Sequence, residues 1–136
     1  IIIGYPGETE EQFMNSMKLL KKIKPDYVNI SRFGARPGTP AAELPQLPTD
    51  EMKRRSRIAS DLVNNISLER NQEWIDWQGE ILISEEGKKP GQWIGRNFAY
   101  KPVVINKSGD MLGKRIRVKI LDASPTTLIG WPLKED

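Results

Sequence analysis

The sequence predicts two pieces of different fold class in succession: an α/β barrel fragment (a βαβ unit plus a connector helix) over residues 1–72, and an all-β five-stranded barrel over residues 73–136. Three observations predict it. Apolar residues recur at helical spacing in two stretches of the first half, and β-branched runs flank the first of these. From Trp74 onward the pattern changes to short alternating runs separated by Gly, Pro, Asn and Asp. A Pro-rich stretch without regular pattern, Arg32 to Pro48, divides the first half.

Ile1 to Ile3 form a short β-branched run that ends at Gly4, and Tyr5-Pro6-Gly7 cannot continue a regular element. Thr9 followed three residues later by Gln12 predicts a capping box, with Glu10 and Glu11 in the first turn, where the helix dipole favours acids. Phe13, Met17, Leu20 and Lys24 share one helical line with Ile23 beside it, and Lys24-Pro25-Asp26 stops the helix. Tyr27-Val28-Asn29-Ile30 alternates in polarity and is expected to be the second strand. A parallel unit this small lacks cover on both faces and neighbours on both edges, so it is expected to dock on further barrel strands. Thr49, Asp50 and Glu51 open a second helix to about Arg70, with Met52, Ala59, Leu62, Val63 and Ile66 spaced for one buried face. Its basic cluster, Lys53, Arg54, Arg55 and Arg57, reads either as a solvated face or as contact with an RNA backbone.

In the second piece, Trp74 to Ser84, Gln92 to Tyr100, Val103 to Ile105, Lys114 to Leu121 and Thr127 to Trp131 are the five candidate strands. Alternation is clearest in Arg115-Ile116-Arg117-Val118-Lys119-Ile120, which gives one core face and one cationic ladder. A small closed barrel hides its edges and commonly binds oligonucleotides.

Composition narrows the chemistry. The 136 residues include no cysteine and no histidine, so this chain offers no thiolate or imidazole metal site, no Ser-His-Asp or Cys-His arrangement and no disulfide. The net charge of +3 hides a strong local bias. Gly87 to Lys119 carries nine basic residues against Asp110 alone, whereas Glu73 to Glu86 carries five acids and no base. Such a one-sided field attracts polyanions. No window reaches the ~18 apolar residues of a membrane-spanning helix and no secretory leader is evident, so a cytoplasmic protein without membrane contact is expected. The opening Ile1-Ile2-Ile3-Gly4 reads as the inside of a strand, so the chain is expected to be part of a longer protein.

Three constellations could carry function. Gly4-Tyr5-Pro6-Gly7-Glu8 is a glycine turn between strand and helix; it reads either as a structural tight turn or as backbone N–H groups presented to a ligand. In Arg36-Pro37-Gly38-Thr39, loop stabilisation and substrate contact are both open. Gly95-Arg96-Asn97 leads into Phe98, Tyr100 and Lys101, where rings interleaved with cations suit RNA, with rings stacking on bases and cations meeting phosphates. For each ring, Trp93 included, burial in the barrel core is the competing reading.

These pieces, in this order, resemble the C-terminal part of radical S-adenosylmethionine methylthiotransferases. Ile3-Gly4-Tyr5-Pro6-Gly7-Glu8-Thr9 resembles the family's strand-turn motif, and Arg36-Pro37-Gly38-Thr39-Pro40-Ala41 its later loop. The helix with Arg54-Arg55-Ser56-Arg57 resembles its connector, and Gly95-Arg96-Asn97-Phe98-Ala99-Tyr100-Lys101 the central motif of an OB-like TRAM barrel. The wording is closest to the archaeal and eukaryotic branch, which modifies threonylcarbamoyladenosine beside the tRNA anticodon.

The resemblance implies an enzyme that adds a methylthio group to carbon 2 of that base, using S-adenosylmethionine and two 4Fe-4S clusters, with the TRAM barrel binding the anticodon region of tRNA. It implies cofactor contact at Gly4, Pro6, Gly7 and Glu8, substrate or RNA contact at Arg36, Thr39, Arg96, Asn97, Tyr100 and Lys101, and by inference at Lys114, Arg115 and Arg117. No catalytic residue and no metal ligand is expected in this chain. The family's cluster cysteines are absent from it, so alone it should be inactive. A stand-alone RNA-binding module, or an enzyme acting on isopentenyladenosine tRNA or a ribosomal protein, are the alternatives. The oligomeric state is not legible.

Overall fold

The computed structural model describes residues 1–134; Glu135 and Asp136, the end of the expected second domain, lie outside the described residues. The chain divides into two compact units, Ile1–Ile66 and Ser67–Asp136.

In the first unit, strand β1 (Ile2–Ile3) leads to helix α1 (Glu10–Ile23) and strand β2 (Ser31–Arg32). The two strands pair in parallel, Ile2 with Ser31 and Ile3 with Arg32, so the βαβ unit forms. Its second strand lies later than expected. Tyr27 to Ile30 is not a strand, because the ladder is set by the Ser31 and Phe33 amides, which donate to the carbonyls of Ile1 and Ile3 at 3.0 and 2.8 Å. Helix α1 begins as the sequence dictates. Thr9 accepts from the Gln12 amide, and the Gln12 side chain accepts from the Thr9 amide. Lys24 ends it in the left-handed conformation, its amide donating to the Leu20 carbonyl. Helix α2 (Thr49–Gln72) follows a 3-10 turn at Pro40–Glu43. Ile3, Phe13, Met17 and Ala59 are the buried core, with Leu20, Ile30 and Leu62 packed around them. Ile23, expected beside the buried line, is exposed. Among the described residues the sheet of this unit has two strands, β1 and β2.

The second unit is a closed five-stranded barrel in the order β3-β4-β5-β7-β6. Its strands are β3 (Gln78–Glu86), β4 (Gln92–Arg96), β5 (Pro102–Asn106), β6 (Arg115–Ala123) and β7 (Leu128–Pro132). All pairs are antiparallel except β5 with β7. The alternation seen in the sequence is realised: Ile116, Val118 and Ile120 point inward with Ile81, Ile83, Val103, Ile105 and Leu128. Two strands are shorter than expected. Trp74 to Trp77 form turns after α2, and β4 stops at Arg96, where Asn97 turns the chain. No helix among the described residues is long and apolar enough to cross a membrane.

Candidate nucleic-acid interface

The turn after β1 is built around a carboxylate. Gly4 and Gly7 adopt φ of +80° and +89°, a region that glycine enters without steric cost. A Cβ on Gly4 would lie 2.9 Å from the Met52 side chain of α2, whereas Gly7 faces open space. Pro6 is buried, and the Gly4 amide donates to Glu8 Oε1 at 3.2 Å. The same oxygen accepts from Arg55 Nη1 at 2.9 Å, and Arg55 also donates to the Glu8 carbonyl and to Glu51. Arg54 pairs with Glu51 and Glu10.

Hydrogen bonds from Arg54 and then Arg55 push the Glu51 carboxyl down to about 2. Burial works against the charge of Arg55, yet its bonds to Glu51 and Glu8 hold the guanidinium above its ordinary range. The basic cluster of α2 is therefore not simply a solvated face: Arg55 is buried and Arg54 is paired. In the later loop, Thr39 donates from both its hydroxyl and its amide to the Arg36 carbonyl, at 2.7 and 3.2 Å, so Thr39 closes the turn on itself. The Arg36 residue is exposed.

On the barrel, strand register brings the sequence-predicted cations together. Arg96 on β4 and Arg115 on β6 both pair with Leu82 of β3, so the two arginines flank one exposed leucine across three strands. Arg117 and Lys119 continue the outward row, opposite Glu80 and Gln78. Glu80 and Asp76 moderate it, at 3.5 Å from Arg115 and 3.8 Å from Lys119. Lys114 is exposed in the turn before β6.

The loop after β4 is rigidly made. Asn97 is buried, and its Oδ1 accepts from the Ala99 and Lys101 amides at 3.1 and 3.0 Å. Asn97 thus sets the turn from inside and does not present its side chain outward. Tyr100 takes φ +63°, uncommon for a bulky residue. Arg96 donates to the Tyr100 carbonyl at 3.1 Å and lies 4.5 Å over its ring. Lys101 Nζ donates to Asn71 Oδ1 at 3.0 Å, and Asn71 in turn holds the Ser124 carbonyl, so this ammonium helps tie the loop to neighbouring segments.

The question left open for the rings is resolved by burial. Trp93 is core, with its Nε1 bonded to the Lys107 carbonyl, whereas Phe98 is 82% and Tyr100 74% exposed. Phe98 stands edge-on to Trp74 with centroids 5.7 Å apart and lies 6.0 Å from Trp77. An exposed phenylalanine backed by two tryptophans is an aromatic platform open to solvent. Two outward residues were not among the sequence-predicted set: Lys119, whose place in the alternating run was a usable signal, and Trp131, which only the register reveals.

Residues 79–133 match the family model described as TRAM domain. Over 130 residues the chain is 42% identical to a probable threonylcarbamoyladenosine tRNA methylthiotransferase of Archaeoglobus fulgidus, which covers 96% of this chain and 30% of that protein. It is 33% identical over 135 residues to a threonylcarbamoyladenosine tRNA methylthiotransferase of Xenopus laevis, covering 99% of this chain and 24% of that protein. To a tRNA-2-methylthio-N(6)-dimethylallyladenosine synthase of Chloroflexus aurantiacus it is 37% identical over 141 residues, covering 100% of this chain and 30% of that protein. The chain thus spans less than a third of the length of these relatives.

Proposed function

We propose that this chain, which carries a TRAM domain and is similar over nearly its whole length to tRNA methylthiotransferases, is the tRNA-gripping part of such an enzyme. The enzyme would add a methylthio group to carbon 2 of N6-threonylcarbamoyladenosine beside the anticodon. The observation that carries the RNA role is the pair of exposed rings, Phe98 and Tyr100, held on a side-chain-braced turn next to Arg96. Rings of this kind stack on unpaired bases while Arg and Lys neutralise phosphates. Arg96, Tyr100, Arg115 and Arg117, with Lys114 nearby, are the proposed contacts; Asn97 and Lys101 position the loop.

S-adenosylmethionine is the methyl and radical source of the proposed reaction. Its fit to this chain is limited to one wall: Gly7 leaves an open backbone surface, and Gly4 and Pro6 shape the turn behind it. The Glu8 carboxylate is already engaged by Gly4 and Arg55, so Glu8 acts as a positioning residue for that wall. Iron-sulfur clusters do not fit this chain, which has no cysteine to ligate them. Arg36 is proposed to face the substrate from the loop that Thr39 closes.

The chain should bind tRNA in an equilibrium titration, and Arg96→Ala with Arg115→Ala should weaken that binding without loss of fold. Undiminished binding by the double variant would overturn the interface. The dimethylallyladenosine relative favours a second substrate reading. Nucleoside analysis of tRNA from cells lacking the gene separates the two by which methylthio-adenosine disappears.

A further inference from the structure

Trp131 is 63% exposed on the outer face of β7, an unusual place for the largest apolar side chain in a barrel this small. The register pairs it directly with Lys119 of β6, and both point outward. Two pairs along, the Leu133 amide donates to the Arg117 carbonyl, which brings the arginine strand against the same stretch of β7. Arg117 stands opposite Glu80 in the register, and that carboxylate pairs with Arg115 at 3.5 Å. The ring therefore borders a cationic row on its β6 side, with exposed Ile129 as its neighbour on the same face of β7.

From this juxtaposition we propose that Trp131 is a second base-stacking residue, which receives an unpaired nucleotide of the same RNA whose phosphates run along Arg115, Arg117 and Lys119. The proposal rests on the RNA reading above and extends its contacts from β4 and β6 to β7. Three strand spacings of ~4.8 Å and four residues of ~3.3 Å separate Arg96 from Trp131 along the surface, a path of ~20 Å. Small barrels engage ~4 nucleotides or more, so one strand can reach both rings. The flanking cations favour RNA over a protein as occupant, because a polyanion satisfies them along its whole length.

The test uses the full chain and two probes, an RNA stem-loop with an unpaired loop and a blunt RNA duplex of equal length. Trp131→Ala should weaken stem-loop binding about tenfold, as loss of one base-aromatic stack does. Duplex binding should stay unchanged, and Trp131→Phe should recover most of the stem-loop affinity. Undiminished stem-loop binding by Trp131→Ala, while the Arg96 and Arg115 variant binds poorly, would overturn this inference and leave the RNA reading standing. Failure of the unaltered chain to bind either probe would overturn both. Equal loss on both probes, or a self-association of the chain that Trp131→Ala abolishes in sedimentation, would assign the ring to the fold or to a protein contact and overturn the stacking role.

Discussion

Arg55 donates to both the carboxylate and the backbone carbonyl of Glu8, at 2.9 and 3.0 Å, from a side chain only 6% exposed. One guanidinium on α2 thereby fixes a turn that lies 47 residues earlier in the chain. Its Nε reaches Glu51 at the same time, and its plane lies 5.7 Å from the Phe13 ring. The Glu8 carboxylate thereby serves as the scaffold of the turn.

Removing that arginine should therefore unfold the first unit before the barrel. Arg55→Ala leaves Glu8 half-buried without its cation, a loss of about 3 kcal/mol. Arg55→Lys should recover little, since one ammonium cannot match the fork that meets Glu8 and Glu51 together. All four tryptophans, Trp74, Trp77, Trp93 and Trp131, belong to the second unit. Helical circular dichroism should lose its transition at lower urea in Arg55→Ala, while tryptophan fluorescence keeps its midpoint. A common shift in both signals would contradict this separation.

Acid should weaken the same cluster. The Glu51 carboxyl titrates at about 2 in the folded chain, because Arg54 and then Arg55 hydrogen-bond to it, against an ordinary 4.5. A depressed carboxyl contributes stability that is complete above the ordinary value and lost as pH falls towards the folded value. Glu51→Gln should accordingly lower the helical melting temperature at neutral pH, and the gap to the unaltered chain should close between pH 4.5 and about 2. A gap independent of pH would show that Glu51 acts by packing alone.

Local chemistry was legible in the sequence, and long-range pairing was not. Thr9 and Gln12 specify their capping box because both partners sit within one turn, and the 115–120 alternation specifies its inward and outward faces. The neighbours of Glu51 at three and four residues, Arg54 and Arg55, were likewise available as helix pairs. Glu8 was not, since its partner comes from a remote helix. The second strand lies a few residues beyond the alternating Tyr27 to Ile30, because the pairing of Ser31 and Arg32 depends on β1, which local polarity does not encode. Phe98 and Tyr100 could not be separated from Trp93 by composition. Their exposure follows from the Asn97 turn, and an asparagine in sequence does not announce which way its side chain faces.

Tyr100 offers a way to divide backbone from ring. At φ +63° a glycine relieves the left-handed strain that tyrosine bears, about 1 kcal/mol. Tyr100→Gly should leave the barrel as stable as before or slightly more so, and still lose several-fold in tRNA affinity. Tyr100→Phe should bind nearly as well as the unaltered chain. Retained affinity in Tyr100→Gly, read in the same titration, would remove this ring from the interface.

Gly79 holds the aromatic platform in place by having no side chain. A Cβ there would lie 2.3 Å from Cζ2 of the Trp77 ring, which rests against the glycine backbone in β3. Gly79→Ala must displace that ring, and with it the contacts Trp77 makes with Trp74 at 5.7 Å and Phe98 at 6.0 Å. The barrel should lose about 1–3 kcal/mol, the usual cost of overpacking. Tryptophan emission should shift to the red as Trp77 meets water, and RNA affinity should fall although no cation has been touched. Unaltered emission with lowered affinity would separate Trp77 from the platform and leave Phe98 to act alone.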